Sequence, residues 1–244
     1  MAEWTASWEN LGFPKLREAD LQSIEIVGKK LLVEAGVEEE EAALEVRLLL
    51  QESFSLNTAG YLLRKQELLC KTEREQTEIL GKLHSFFENF EKRRRRIPLA
   101  QILGRQSFYG LDFYVNEDVL IPRADTECLV DLVLEDYADL AKQAGSSSLN
   151  ILDLCTGSGC IGISVAKHLP YQELLLVDLS EKALAVAKKN AEKNGLQNAE
   201  FFVGAAEKVL PKWVEEQKRE GKDVGNLVDV VSLDPPRKGC DEAC

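Results

Sequence analysis

Apolar residues recur at 21, 24, 27, 31 and 32 in DLQSIEIVGKKLLVEAG, the spacing of one face of a helix, and Gly36 supplies the stop. The same period runs through EEEEAALEVRLLLQESF (about 38–54), a short stretch near TAGYLLRKQ, and TEREQTEILGKLHSFFENFEKRRRR (about 72–96). Residues 15–96 are therefore expected to be all-helical, with residues 1–97 forming an N-terminal bundle. After Pro98 the texture changes. ILGRQSFYGLDFYVNEDVLIPR alternates aromatic and β-branched residues around Gly110, which reads as a β-hairpin, so residues 98–124 are expected to be a hairpin linker.

DTECLVDLVLEDYADLAKQAG is amphipathic and predicts a helix capped by Asp125 or Thr126, with GSSS at 145–148 as a break. From Leu149 the strands LNILDLC, ELLLVDL, AEFFV and LVDVVSLD alternate with helices: one from about 159, then SEKALAVAKKNAEKNG and AAEKVLPKWVEEQKRE. That order means right-handed βαβ units and a parallel sheet covered on both faces. Residues 125–244 are read as one α/β, Rossmann-like domain.

Composition narrows the setting. No apolar run approaches the ~18 residues of a membrane span, and MAEWTASWENLGFPKLREAD carries acidic residues where a secretory leader has a basic then apolar run, so a cytoplasmic protein with no membrane partner is expected. The six cysteines (70, 128, 155, 160, 240, 244) are too scattered for a disulfide scaffold, and with only His84 and His168 beside them no metal site is expected. The net charge of −12 repels phosphate backbones. One local exception is Arg93–Arg96, read as the solvated C-terminal end of a helix, with a nucleic-acid patch as the alternative.

The chemistry concentrates after the first strand of the α/β domain. In ILDLCTGSGCIGIS, Asp153 ends a strand and Thr156-Gly157-Ser158-Gly159 turn into a helix, where glycine lets the backbone approach a ligand and the helix start offers N–H groups. Gly157, Gly159 and Gly162 satisfy G-x-G-x-x-G, and Asp178, about 20 residues on, ends the next strand where a ribose is gripped. That spacing suits a nicotinamide dinucleotide and S-adenosylmethionine alike. Asp153 favours the second, because a carboxylate there would hold a cationic aminoacyl group and repel a pyrophosphate.

From about residue 20 to 190 the chain resembles the HemK-type protein-(glutamine-N5) methyltransferases that modify peptide chain release factors. The residues that carry the resemblance are RRIPLAQILGRQSFYGLDFYVNEDVLIPRADTE and ILDLCTGSGCIGIS. The resemblance implies a class I methyltransferase domain binding S-adenosyl-L-methionine through Cys155, Thr156, Gly157, Ser158 and Gly159, with Asp178 on the ribose, and Asp153 joins them from the reading above. It also implies a release factor as protein substrate, held in part by the helical domain. Family members carry Asn-Pro-Pro-Tyr after the fourth strand to hold the substrate amide, and this chain has Asp234-Pro235-Pro236-Arg237 there. Asp234, Pro235 and Pro236 are the expected catalytic residues, Arg237 joins them in substrate binding, and Asp234 also borders the cofactor.

The families that this chain resembles commonly place an acidic residue straight after the glycine that follows the third strand, to meet the adenine amino group. Here Ala205 stands there, so the main-chain N–H of Ala206 is expected at the adenine, with Glu207 as the other candidate. The tail, NAEKNGLQNAEFFVGAAEKVLPKW and VVSLDPPRKGCDEA, resembles the RNA 5-methyluridine methyltransferases, whose nucleophilic Cys lies on a later strand; Cys240 and Cys244 do not match it. Four strands are counted where this class normally carries three more, so the domain is expected to be truncated and its fourth strand to sit at a sticky edge. Release-factor methylation is the leading expectation, and uracil-C5 methylation of RNA or a non-catalytic cofactor-binding remnant are the alternatives.

Overall fold

The computed structural model describes residues 3–72, 75–144, 148–223, 225 and 227–235, which form two compact units, 1–103 and 104–244. The GSSS break, apart from Ser148, lies outside the described residues, as do Pro236, Arg237, Cys240 and Cys244.

The first unit holds α1 (Glu3–Asn10), α2 (Leu21–Glu34), α3 (Glu39–Phe54), α4 (Thr58–Arg64), α5 (Gln76–Arg94) and α6 (Leu99–Leu103). Helix α2 starts at a capping box: Asp20 Oδ1 accepts from Ser23 N at 2.6 Å and Ser23 Oγ accepts from Asp20 N at 3.2 Å. It ends at Gly36, whose φ of +85° suits glycine. Leu21, Ile24 and Leu32 are buried with Val46, Leu49 and Leu50 of α3 and Phe86 and Phe90 of α5 in one core.

Two helices in this unit were not foreseen. In α1, Trp4 and Trp8 sit one turn apart, and Trp8 stacks on Phe13 with centroids 4.2 Å apart, so the aromatic pair supplies the apolar stripe. Helix α6 occupies part of the span assigned to the hairpin. Pro98 starts it, its carbonyl accepting from Gln101 N and Ile102 N, and Gly104 with φ +66° follows it.

In the second unit β1 (Gln106–Phe108) and β2 (Leu111–Phe113) form the antiparallel hairpin around Tyr109-Gly110. A 3-10 turn, Ala124–Thr126, leads into α7 (Glu127–Ala144), so Asp125 and Thr126, the expected cap residues, lie in the turn just before the helix. Glu127 reaches the hairpin turn, accepting from Tyr109 N at 2.8 Å.

The strands β3 (Leu149–Leu154), β4 (Tyr171–Asp178), β5 (Ala199–Val203) and β6 (Val230–Leu233) make one parallel sheet in the order β5-β4-β3-β6. Helices α8 (Cys160–His168) and α9 (Glu181–Lys193) follow β3 and β4, and α10 (Ala206–Arg219) follows β5. One face of the sheet buries Ile151, Leu174 and Leu176 against Val130 of α7, Ile161 and Ile163 of α8 and Ala187 of α9. The other buries Leu152, Leu154, Leu175 and Val177 against Trp213 of α10.

Strand β6 is shorter than the eight-residue run LVDVVSLD; just before it Asp229 is bound to Asn150 twice, its N–H donating to Asn150 O at 2.9 Å and its carboxylate accepting from Asn150 N at 2.8 Å. Among the described residues its far edge carries no strand. It is not covered on both faces either: Val230 is 5 % exposed, but Val231 and Leu233 on the α10 side are 58 % and 48 % exposed. A lysine at 231 therefore meets solvent, whereas one at 230 is driven into the core. Val231→Lys should change stability by no more than ~0.5 kcal/mol and lower any self-association seen by light scattering, whereas Val230→Lys should cost ~3 kcal/mol or more in denaturant melts. Equal effects of the two would contradict this placement.

Candidate active site

All four strands stop at one level. Leu154 is in register with Val177 on one side and Leu233 on the other, and Asp178 is in register with Val203. The segments that follow them, 155–159, 178–180, 204–206 and 234–235, therefore meet at one edge of the sheet. Connections from β3 run outward through β4 to β5, and the chain then returns to place β6 on the opposite side of β3. That reversal makes the β3–β6 boundary the switch point, where open α/β sheets form a ligand crevice beyond their carboxyl ends.

The turn after β3 is a run of left-handed backbone: Cys155, Gly157 and Gly159 have φ of 56°, 54° and 82°. Cys155 carries a Cβ there, at a cost of ~1–2 kcal/mol. Thr156 N donates to Val177 O at 3.1 Å, and Gly157 N to Asp178 Oδ2 at 2.8 Å, so β4 fixes the turn. The two glycines differ in purpose. A Cβ on Gly159 would come within 2.7 Å of Ile163 Cδ1, which makes it a packing glycine under the helix, whereas a Cβ on Gly157 would meet nothing within 4 Å. Open space over Gly157, beside the start of α8, is where a ligand can approach the backbone. The side chains of Thr156 and Ser158 are buried, so these residues offer main chain to a ligand.

Asp153 stands differently from the sequence expectation. It is 1 % exposed, and its carboxylate is engaged from three elements: Thr156 Oγ1 donates at 2.6 Å, Gly162 N at 3.1 Å and Ser232 Oγ at 2.6 Å. A Cβ on Gly162 would lie 2.9 Å from the carboxylate, so glycine there lets the helix close on it. Facing inward, Asp153 is built to hold the turn rather than to meet a cationic group. Burial pushes its carboxyl above the usual carboxylate range, the three donors oppose the shift, and the nearby charge of Asp234 adds to it.

Asp178 ends β4 half-buried, its Oδ1 accepting from Ser180 N at 2.9 Å while Oδ2 holds Gly157. Ala206 is the first residue of α10, where backbone N–H groups have no intrahelical acceptor. Asp234 is exposed beyond β6, next to the half-buried Pro235. The structure thus brings Cys155 to Gly159, Asp178, Ala206, Asp234 and Pro235 to one edge.

Other candidates lie elsewhere. Arg93 is buried on Glu45 at 2.8 Å, Arg94 pairs with Glu91 at 2.6 Å and Arg96 donates to Gly36 O, while Arg95 and Arg96 are exposed. Among the described residues no cluster of His, Cys, Asp and Glu suits a metal. Burial pushes the Cys160 thiol up to about 12, which leaves it un-nucleophilic. No described helix is long and apolar enough to cross a membrane.

Residues 145–233 match the family model of a methyltransferase domain. The match spans the glycine-rich turn and all four strands of the parallel sheet. The match agrees with the S-adenosylmethionine read from the turn. Curated relatives include release factor glutamine methyltransferases from Flavobacterium psychrophilum, 39 % identical over 139 residues (57 % of this chain, 43 % of the relative), and from Bacillus subtilis, 33 % identical over 205 residues (84 % and 62 %). The resemblance read from the hairpin and turn is thereby borne out, and the chain spans about half the length of the relatives it matches. A solved Pyrococcus abyssi tRNA (uracil-54, C5)-methyltransferase in complex with S-adenosyl-L-homocysteine is 23 % identical, covering 55 % of this chain and 28 % of its own, with a TM-score of 0.37. The likeness of the tail to RNA 5-methyluridine methyltransferases gains no support from these relatives.

The raised Asp153 carboxyl carries a pH signature. Because its folded value exceeds its unfolded one, its contribution to stability is full below the ordinary carboxylate range and is lost as pH rises through the folded value. Ser232→Ala removes a donor that opposes the rise. The variant should be destabilised by ~1–3 kcal/mol near neutral pH and by clearly less near pH ~4, as read from denaturant melts. An equal loss at both would contradict an ionised Asp153 held by Ser232.

Proposed function

We propose that this chain transfers a methyl group from S-adenosylmethionine to the side-chain amide of a glutamine in a peptide chain release factor. The observation that carries the reading is the convergence of the turn 155–159, Asp178, Ala206 and Asp234-Pro235 at the switch point of the sheet, together with relatives named for that reaction. When bound, S-adenosylmethionine supplies an electrophilic methyl group on a sulfonium. The open backbone at Gly157 and the start of α8 receive it, Asp178 faces its ribose and the N–H of Ala206 its adenine. The exposed carboxylate of Asp234 suits a cationic cofactor and disfavours a pyrophosphate, which favours this reading over a dinucleotide.

At β6, Asp234 and Pro235 offer acceptors to the amide N–H groups of the substrate. Holding the nitrogen in line with the methyl group is the main work of such a site, and no strong base is needed to begin. An ionised Asp234 accepts but cannot donate to the amide oxygen, whereas Asn does both.

Two measurements test the reading. Calorimetric titration should show S-adenosylhomocysteine binding and no binding of NAD, with Asp178→Ala weakening it by ~10-fold or more, as for loss of charge-assisted bonds. Unchanged affinity in that variant would remove Asp178 from the site. In a methyl-transfer assay on release factor, Asp234→Asn should raise the rate; cofactor binding with no transfer by either form would favour a binding module, and transfer to RNA alone would favour the uracil reading.

A further inference from the structure

Asn190 lies on the inner face of α9, 0 % exposed, in a helix whose other buried positions are mostly apolar. A buried amide has to find partners, and this one draws them from two distant segments. Its Oδ1 accepts from Tyr114 N at 2.6 Å, while Nδ2 donates to Tyr114 O at 3.0 Å and to Ser158 O at 2.8 Å. Tyr114 is the residue after β2, and Ser158 lies in the turn that faces the crevice. One side chain therefore grips both main-chain groups of the hairpin exit, as a neighbouring strand would, and the same nitrogen holds the turn.

A second contact reinforces the grip: Lys189 Nζ sits 3.2 Å from the centre of the Tyr114 ring. The residue type at 190 is closely constrained. Aspartate lacks both donors and would face two carbonyl oxygens, and alanine leaves all three groups unpaired.

We infer that Asn190 is a positioning residue for the cofactor turn, clamping Ser158 and the hairpin exit at Tyr114 into one unit, so that a ligand on the turn is sensed at the hairpin. The inference rests on the proposed cofactor site. Asn190 touches neither cofactor nor substrate and acts through the Ser158 carbonyl.

The test compares Asn190→Asp and Asn190→Ala with Val186→Ala, a buried α9 position without polar partners, as a control for general loss of stability. Amide hydrogen exchange of the unliganded chain should quicken at Tyr114 and across 156–159 together in the Asn190 variants, beyond anything in the control. Calorimetry should show S-adenosylhomocysteine bound ~10-fold or more weakly by Asn190→Asp, while Val186→Ala keeps the affinity of the unsubstituted chain. In the unsubstituted chain, that ligand should also slow exchange at the Tyr114 amide, a measurement that needs no variant.

Exchange at the two segments no faster than in the control, or unchanged affinity in Asn190→Asp, would overturn the inference. The two readings fail separately. If the unsubstituted chain binds no S-adenosylhomocysteine, the cofactor site is wrong, and the exchange comparison still decides whether Asn190 clamps the turn.

Discussion

The buried carboxylate of Asp153 is the constraint around which the α/β unit is assembled. It receives a hydroxyl from the turn, a hydroxyl from β6 and an amide from α8 at once. A charge taken out of water is tolerated only where donors replace the lost hydration, so the three partners must arrive together. Their arrival fixes the turn relative to β6, the strand that delivers Asp234 and Pro235. The level at which cofactor and substrate groups would meet is thus set beneath the crevice rather than in it.

A second layer of main-chain bonding surrounds that centre. Asp178 joins the turn to the start of α9 through Gly157 N and Ser180 N. Glu127 and Asn190 bind the hairpin from α7 and α9 at Tyr109 N and at Tyr114. Each is a polar side chain satisfying backbone groups that no strand or helix partner reaches, the usual use of a buried polar residue. Rigid support of this kind suits a site whose chemistry consists mainly of alignment.

Much of this organisation was legible in the sequence because it is periodic. The alternation after Leu149 gave the order of strands and helices nearly residue by residue, since each strand is an apolar run and each glycine-rich break has a backbone reason. Legibility ended where partners are distant or signals are short. Helix α1 is marked only by Trp4 and Trp8, and α6 only by Pro98 before it and Gly104 after it. The inward turn of Asp153 depends on Ser232, 79 residues away, and the grip of Asn190 on Tyr114, 76 residues away. No local pattern encodes such pairings. An Asn on the apolar face of α9 was the one available hint, and by period alone it reads as an interruption.

The central claim is that the four strand ends 155–160, 178–180, 204–207 and 234–235 form one cofactor cradle at the switch point. A backbone amide chemical-shift map during titration with S-adenosylhomocysteine addresses it directly. The account predicts saturable shifts concentrated in those four segments, with the helical unit 1–103 essentially unmoved. Saturable shifts centred elsewhere, or in only one of the four segments, would contradict it.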